Sequence, residues 1–349
     1  MTSLKEILVI GGTGAQGIPV VEALSESKRY RVRILTRNGK SSRAQRLSRL
    51  PNVTLIEGRQ DSQDDLHRAL KGVYGAWVNL DSFTLGEKNE LFYGIRAYEI
   101  ARYERVQHYI WGNTAYALKR ANWDKKYHFA HGDAKGRISD FILAQGQSGM
   151  RSSILSTCPY INTLVDGIFV PKEQPDGSFA WINPAKKGKF PLIAVEDIGH
   201  YSLWLFDNVS ESAGLDLQVV TDYVSFEDIA NTFTAVTGKK GVHKSVPFEE
   251  YLTLVEPYPN APMNWFAGRD VAQDEASMSW RENCTAFWHY YNDGVNGVAD
   301  LDLLTRIHPN RIMSLEEWMR KVDYDGHGKP GTVLKGLQDL LEGKPMSKD

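Results

Sequence analysis

Within the first seventeen residues an apolar run, Ile7-Leu8-Val9-Ile10, stops at Gly11-Gly12-Thr13-Gly14-Ala15-Gln16-Gly17, and Ile18 to Leu24 follow at helical spacing. A buried strand that feeds a helix through glycines is the opening unit of a doubly wound α/β fold. Gly11 allows a tight exit from the strand, Gly14 leaves main-chain N–H groups uncovered, and Gly17 lets the helix lie against the strand. The first N–H groups of that helix have no partner within it and carry the positive end of its dipole. The turn is therefore suited to an anion such as a diphosphate. The spacing is G-x-x-G-x-x-G rather than the commoner G-x-G-x-x-G, and its weight comes from lying behind a strand and ahead of a helix. Gly11, Gly12, Thr13, Gly14, Ala15, Gln16 and Gly17 are the expected contacts.

The second strand, Arg31 to Thr36, ends at Arg37, twenty positions after Gly17. A chain that binds NAD(H) usually carries Asp or Glu near this place to hold the ribose 2′-hydroxyl. Here Thr36, Arg37 and Asn38 stand there, with Lys40 and Arg43 close behind. A guanidinium grips a 2′-phosphate with two hydrogen bonds and stacks on adenine, which favours NADP(H).

Strand and helix then alternate. Val53 to Glu57 reads as a strand, and Ser62 with Asp65 resembles a capping box for a helix through Leu70. Gly75 to Leu80 is the fourth strand, a helix runs from about Glu87 to Arg102, and His108 to Trp111 is the fifth strand. Ala134 to Ala144 reads as a helix and Arg151 to Leu155 as the sixth strand. Such alternation calls for a Rossmann-like parallel sheet covered on both faces. With strand order 3-2-1-4-5-6, the carboxyl ends of strands one and four flank the crevice, so Asn79 to Phe83 lie beside the glycine turn. The expected division is a nucleotide-binding domain over 1–157 and a smaller, aromatic-rich α/β substrate lobe over 158–349, some of whose segments return to the first domain. In that second half Ser225 with Asp228 and Ser314 with Glu317 cap two helices. Between them Trp265, Trp280 and Trp288 lie in a stretch rich in rings that can enclose a flat organic substrate.

Composition narrows the function by exclusion. A net charge of −2 gives no basic footprint for nucleic acid. No apolar run reaches about 18 residues, so no membrane span is expected. Two cysteines, Cys158 and Cys284, form neither a disulfide framework nor a metal cluster. With no leader segment read ahead of the first strand, a cytoplasmic setting is expected.

The glycine turn, Thr36-Arg37-Asn38 and Ala130-His131-Gly132-Asp133-Ala134-Lys135-Gly136 resemble the NmrA-like family of atypical short-chain dehydrogenases. The resemblance continues through Pro175-Asp176-Gly177, Val195-Glu196-Asp197-Ile198-Gly199 and Ser314-Leu315-Glu316-Glu317-Trp318, and so covers most of the chain. It implies NADP(H) contacts from the turn, from Arg37, from Asn79, Leu80 and Asp81, from Lys135, and from Cys158, Pro159, Tyr160 and Ile161. After the third strand the family often has Gly-Asp-Gln-Asp, whereas this chain reads Gly58-Arg59-Gln60-Asp61. Gln60 matches the expected adenine contact, and Arg59 brings a cation to the adenosine end.

The Tyr-x-x-x-Lys of familiar short-chain dehydrogenases is missing, because His131 stands four residues before Lys135. Two readings follow. In the first, favoured for the aromatic lobe, the protein is an oxidoreductase that passes hydride from NADPH to a C=O, C=N or activated C=C of a small aromatic substrate. The resemblance then implies Lys135 as general acid or base, with His131 or Tyr160 relaying protons. In the second, the protein senses NADPH without chemistry and binds a protein partner according to redox state.

Overall fold

The computed structural model describes residues 4–269, 273–274 and 277–336. Its main sheet is built from β1 (Lys5–Ile10), β2 (Tyr30–Thr36), β3 (Val53–Glu57), β4 (Gly75–Val78), β5 (His108–Asn113), β6 (Arg151–Ser156) and β7 (Asp216–Gln218), all paired parallel in the order β3-β2-β1-β4-β5-β6-β7. The expected order is therefore present, with the returning strand β7 added beyond β6.

Alternation along β1 shows how the sheet is covered. Ile7 and Val9 join Val20, Val21, Ile198 and Tyr201 on one face. Leu8 and Ile10 join Leu66, Tyr98, Ile138 and Ile142 on the other. The first face is thus covered by α1 (Gly17–Glu26) and the second by α3 (Gln63–Leu70), α4 (Ser82–Tyr103) and α5 (Ala130–Ala144), while the short α2 (Ser42–Leu47) follows β2. Ile198 and Tyr201 belong to α6 (Val195–Asp207), which the chain sends back from its second half to pack on α1. Each residue of β4 and β5 is buried, as expected for strands covered on both sides.

Several boundaries shift from the sequence expectation. Helix α4 starts at Ser82, where the Asp81 side chain accepts from the Phe83 N–H, and is broken at Gly86, whose φ is +74°. Helix α5 starts at Ala130 instead of Ala134, which puts His131 and Lys135 one turn apart on a single helix. Ser62 caps α3 by accepting from the Asp65 N–H, but the Asp65 carboxylate turns to the Arg59 N–H, so the reciprocal half of the box is not made. Ser225 and Asp228 do form the full box, and Ser314 accepts from the Glu317 N–H.

Among the described residues no helix is long and apolar enough to cross a membrane. The second half has its own core, in which Phe190, Phe226 and Trp288 meet edge to face or tilted. A small sheet of Lys172–Glu173, Phe179–Asn183 and Gly241–Ser245 borders it.

Candidate functional site

The glycine turn is shaped by what a side chain would strike. Gly11 has φ +83°, and a Cβ there would lie 2.5 Å from the Asn79 carbonyl oxygen at the end of β4. A Cβ on Gly17 would lie 2.1 Å from the Gly11 carbonyl oxygen, so α1 packs on the turn with no room between. The Gly14 N–H donates to Gly11 O at 2.9 Å and closes the loop. Gln16 ends it: Nε2 donates to Thr157 Oγ1 at 3.1 Å and to the Tyr160 hydroxyl at 2.8 Å, while Oε1 is buried without a hydrogen-bond partner.

From this turn a cavity of about 960 Å³ runs across the carboxyl ends of the central strands and into the second half. Gly11, Thr13, Gly14, Ala15 and Gln16 line it at the turn, and Thr36, Arg37 and Gln60 at one end. Asn79, Leu80 and Asp81 line its middle, facing Cys158, Pro159 and Tyr160. Four expected contacts do not line it. Gly12 is buried with a Cβ position 2.8 Å from Ile34, and Gly17 is covered by the turn itself. Asn38 is exposed and its Oδ1 accepts from the Lys40 N–H. Ile161 is fully buried in the second core. Arg59 is turned to Asp61, with Nε and Nη2 each donating to one carboxylate oxygen at 2.9 and 2.6 Å. Arg37 is exposed at the rim.

Lys135 stands where the cavity passes from turn to aromatic rings. Its Nζ donates to Asn79 Oδ1 at 2.9 Å and to the Leu80 carbonyl at 2.7 Å, and lies 2.7 Å from Glu90 Oε1. Its hydrogen bonds thus go to the two carbonyl oxygens, while the Glu90 carboxylate lies beside it as a counter-charge. Glu90 is fully buried on α4; burial pushes its carboxyl up from the usual carboxylate range, and the Lys135 ammonium opposes that shift. The pair keeps a buried carboxylate next to a cation. This geometry ties Lys135 to the Asn79-Leu80 bend at the end of β4.

His131 faces the cavity between rings, 4.9 Å from Phe83 and 4.8 Å from Phe129, centroid to centroid. Its Nδ1 is 3.2 Å from Asn283 Oδ1. Burial, with the nearby Lys135 ammonium adding to it, lowers its pKa to about 4, so the ring is neutral at physiological pH. Burial raises the Tyr160 phenol to about 12, and because its oxygen accepts from Gln16 its own hydrogen is left to donate. Burial also pushes the Cys158 thiol up, and Sγ lies 3.6 Å from Val219 O, as a packed thiol would. Beyond His131 the wall consists of Phe83, Trp265, Phe266, Trp280, Phe287 and Tyr291. Trp288 is absent from that wall and fully buried, a core residue rather than a substrate contact. Among the described residues no group of His, Cys, Asp and Glu is arranged to hold a metal ion.

A profile of the NmrA-like family matches residues 3–292. The chain belongs to the NmrA-like family. It is 26% identical over 262 residues to the NmrA-like family domain-containing oxidoreductase himF of Aspergillus japonicus, covering 70% of this chain and 78% of that one. The fold superposes with a TM-score of 0.66 on NmrA, a negative transcriptional regulator, in complex with NADP, at 19% identity over 91% of this chain and 95% of that one. It superposes with a TM-score of 0.67 on the Citrobacter sp. triphenylmethane reductase complexed with NADP(H), at 17% identity over 91% and 99%.

Sequence reasoning passed over two residues of this NmrA-like site, Glu90 and Asp166, and gave a third, Arg43, another place. Glu90 sits inside a helical pattern, where a glutamate reads as solvent-facing. Asp166 lies in a loop of no motif, yet is buried against the cavity. Arg43, read in sequence as one of the cations behind Arg37, is buried with its guanidinium on the Thr13 carbonyl. Charged residues that are buried and paired give no signal in spacing alone.

Proposed function

We propose that this NmrA-like protein is an NADPH-dependent oxidoreductase reducing a C=O, C=N or activated C=C bond of a small, aromatic organic substrate. The observation that carries the reading is the continuity of one cavity from the glycine turn, past Lys135, into a chamber walled by Phe83, His131, Trp265, Phe266, Trp280 and Phe287. Such a chamber suits a flat apolar molecule.

The residues fit a dinucleotide. Gly11 and Gly14 keep side chains off the turn, so its N–H groups and the start of α1 are available to a diphosphate. Arg37 at the rim would hold the 2′-phosphate and Gln60 the adenine end. Asn79, Leu80 and Asp81, with Cys158 and Pro159 opposite, would flank the nicotinamide half. Bound there, NADPH supplies a hydride. Lys135, neutralised by Glu90, holds the Asn79-Leu80 bend in position. Tyr160 would be a proton donor by geometry: its hydroxyl faces the cavity, accepts from Gln16 and so keeps its own hydrogen to give. Neutral His131 offers the substrate a hydrogen bond without placing a second cation beside Lys135.

The test is loss of NADPH absorbance against a panel of aromatic aldehydes, ketones, enones and cyclic imines. Turnover of one class, abolished in Tyr160→Phe with NADPH affinity kept, is the expected result. Silence across the panel together with tight NADPH binding would replace this reading by the redox sensor.

A further inference from the structure

The cavity has a wall that neither the glycine turn nor the aromatic rings supply. Gly328, Pro330, Leu334, Lys335 and Gly336, close to the end of the described chain, line it as well. Two buried charges hold this segment down. Asp166, 1% exposed, accepts from the Gly331 N–H at 3.0 Å through Oδ1 and from the Val333 and Leu334 N–H groups at 2.7 and 2.6 Å through Oδ2. Arg43 donates to Gly331 O at 3.0 Å, to Val333 O at 3.1 Å and to the Thr13 carbonyl at 3.4 Å, so one guanidinium ties the segment to the glycine turn. Lys335 Nζ then reaches Thr13 Oγ1 at 3.3 Å, within the turn itself. One residue on, a Cβ at Gly336 would lie 2.9 Å from the Phe266 ring, so the segment bridges the turn and the aromatic wall.

We infer that Lys335, carried by this clasped segment, is a ligand for the diphosphate of the bound dinucleotide. The inference rests on the dinucleotide reading above. The turn offers a diphosphate only neutral N–H groups. Among the described residues lining the cavity the lysines and arginines are Arg37, Lys135 and Lys335. Arg37 stands at the rim, beyond the end of β2, and Lys135 is held at the Asn79-Leu80 bend, while Lys335 contacts the turn directly. An ammonium at the edge of the turn adds charge-assisted bonds to those of its N–H groups. Because the chain that carries it lies over the turn, the same segment slows escape of the dinucleotide.

The test is calorimetry and stopped-flow dissociation with the full chain, using NADPH, ADP-ribose and adenosine 2′-monophosphate as probes. Lys335→Ala weakens NADPH and ADP-ribose by the same factor, about tenfold, while adenosine 2′-monophosphate, which has no diphosphate, is unaffected. Lys335→Glu weakens the first two further. Asp166→Asn, which keeps one carbonyl acceptor but loses the charge, speeds NADPH dissociation, and Lys329→Ala on the same segment changes neither. Wild-type affinity and dissociation rate in both Lys335 variants would overturn the assignment while leaving the cofactor reading intact. Equal losses for all three probes would also overturn it, by marking a general collapse of the site. No heat with the unaltered protein would remove the cofactor reading and this inference together.

Discussion

The cavity's two sides are built by different physics. On the nucleotide side the surface is main chain: a turn whose shape follows from Gly11 and Gly17, a helix N-terminus, and the bend at Asn79-Leu80 pinned by one ammonium. On the aromatic side the surface is side chain: rings of Phe83, Trp265, Trp280 and Phe287, backed by a core of more rings such as Trp288 and Phe226. A main-chain surface is the same for any sequence that can adopt it, and it recognises the part of a ligand that is shared across a fold. A side-chain surface changes with each substitution, so on the proposed reading substrate choice is written there. Within one molecule the invariant partner and the variable one are met by surfaces of matching kind.

Four experiments break or sharpen that contrast. Glu90→Gln leaves the Lys135 ammonium buried without its carboxylate, and a loss of about 3–5 kcal/mol in unfolding free energy is expected from denaturant titration, with weakened NADPH binding. The double variant Glu90→Leu/Lys135→Met recovers much of that stability but not the binding. Trp288→Ala in the lobe core costs a similar or slightly smaller amount, about 3–5 kcal/mol, yet leaves the NADPH dissociation constant unchanged. A tenfold loss of NADPH affinity there would mean the two surfaces are not independent. Arg37→Ala removes about 1.5–3 kcal/mol of NADPH binding and little of NADH binding, with no change in melting temperature, because the side chain is exposed. Equal affinity of the unaltered protein for both dinucleotides would refute the 2′-phosphate assignment.

The smallest effect is a slope in pH. Asp197 on α6 accepts from the Ile312 N–H, and burial raises its pKa to about 6 from 3.8. Burial lowers the neighbouring His308 to about 4, so the 3.3 Å contact between them is not a pair of opposite charges between those values. A carboxyl raised on folding stabilises fully below its unfolded value and loses that contribution as pH climbs through the folded one. Stability should therefore fall from about pH 4 to about pH 6 with a slope from this group of at most about 1.4 kcal/mol per pH unit. Asp197→Asn keeps a carbonyl for Ile312 and flattens that slope; an unchanged slope would assign it to other carboxyls such as Asp133, which burial also raises to about 6.

The strands, their helices and the glycine turn were legible in sequence because each is a local pattern, and the strand order followed from the fold that such alternation implies. β-Branched runs, glycine spacing and capping residues act within a few positions of themselves. The start of α5 was misjudged by four residues because Gly132 and Asp133 are poor helix formers, and packing on the sheet outweighs that preference. Trp288 and Trp265 look alike in sequence, and only packing decides that one fills a core and the other faces a cavity.

By itself the sequence determined a strand, a turn without side chains and a helix end aimed at an anion, since glycine's freedom and the direction of backbone dipoles do not depend on what packs around them. Tertiary structure alone decided that Glu90 would balance Lys135, and that Asp166 and Arg43 would draw residues 328–336 across the turn. Those pairings join positions 45 to 290 residues apart in the chain, and a charge is buried only where folding brings it a partner, which no local pattern records.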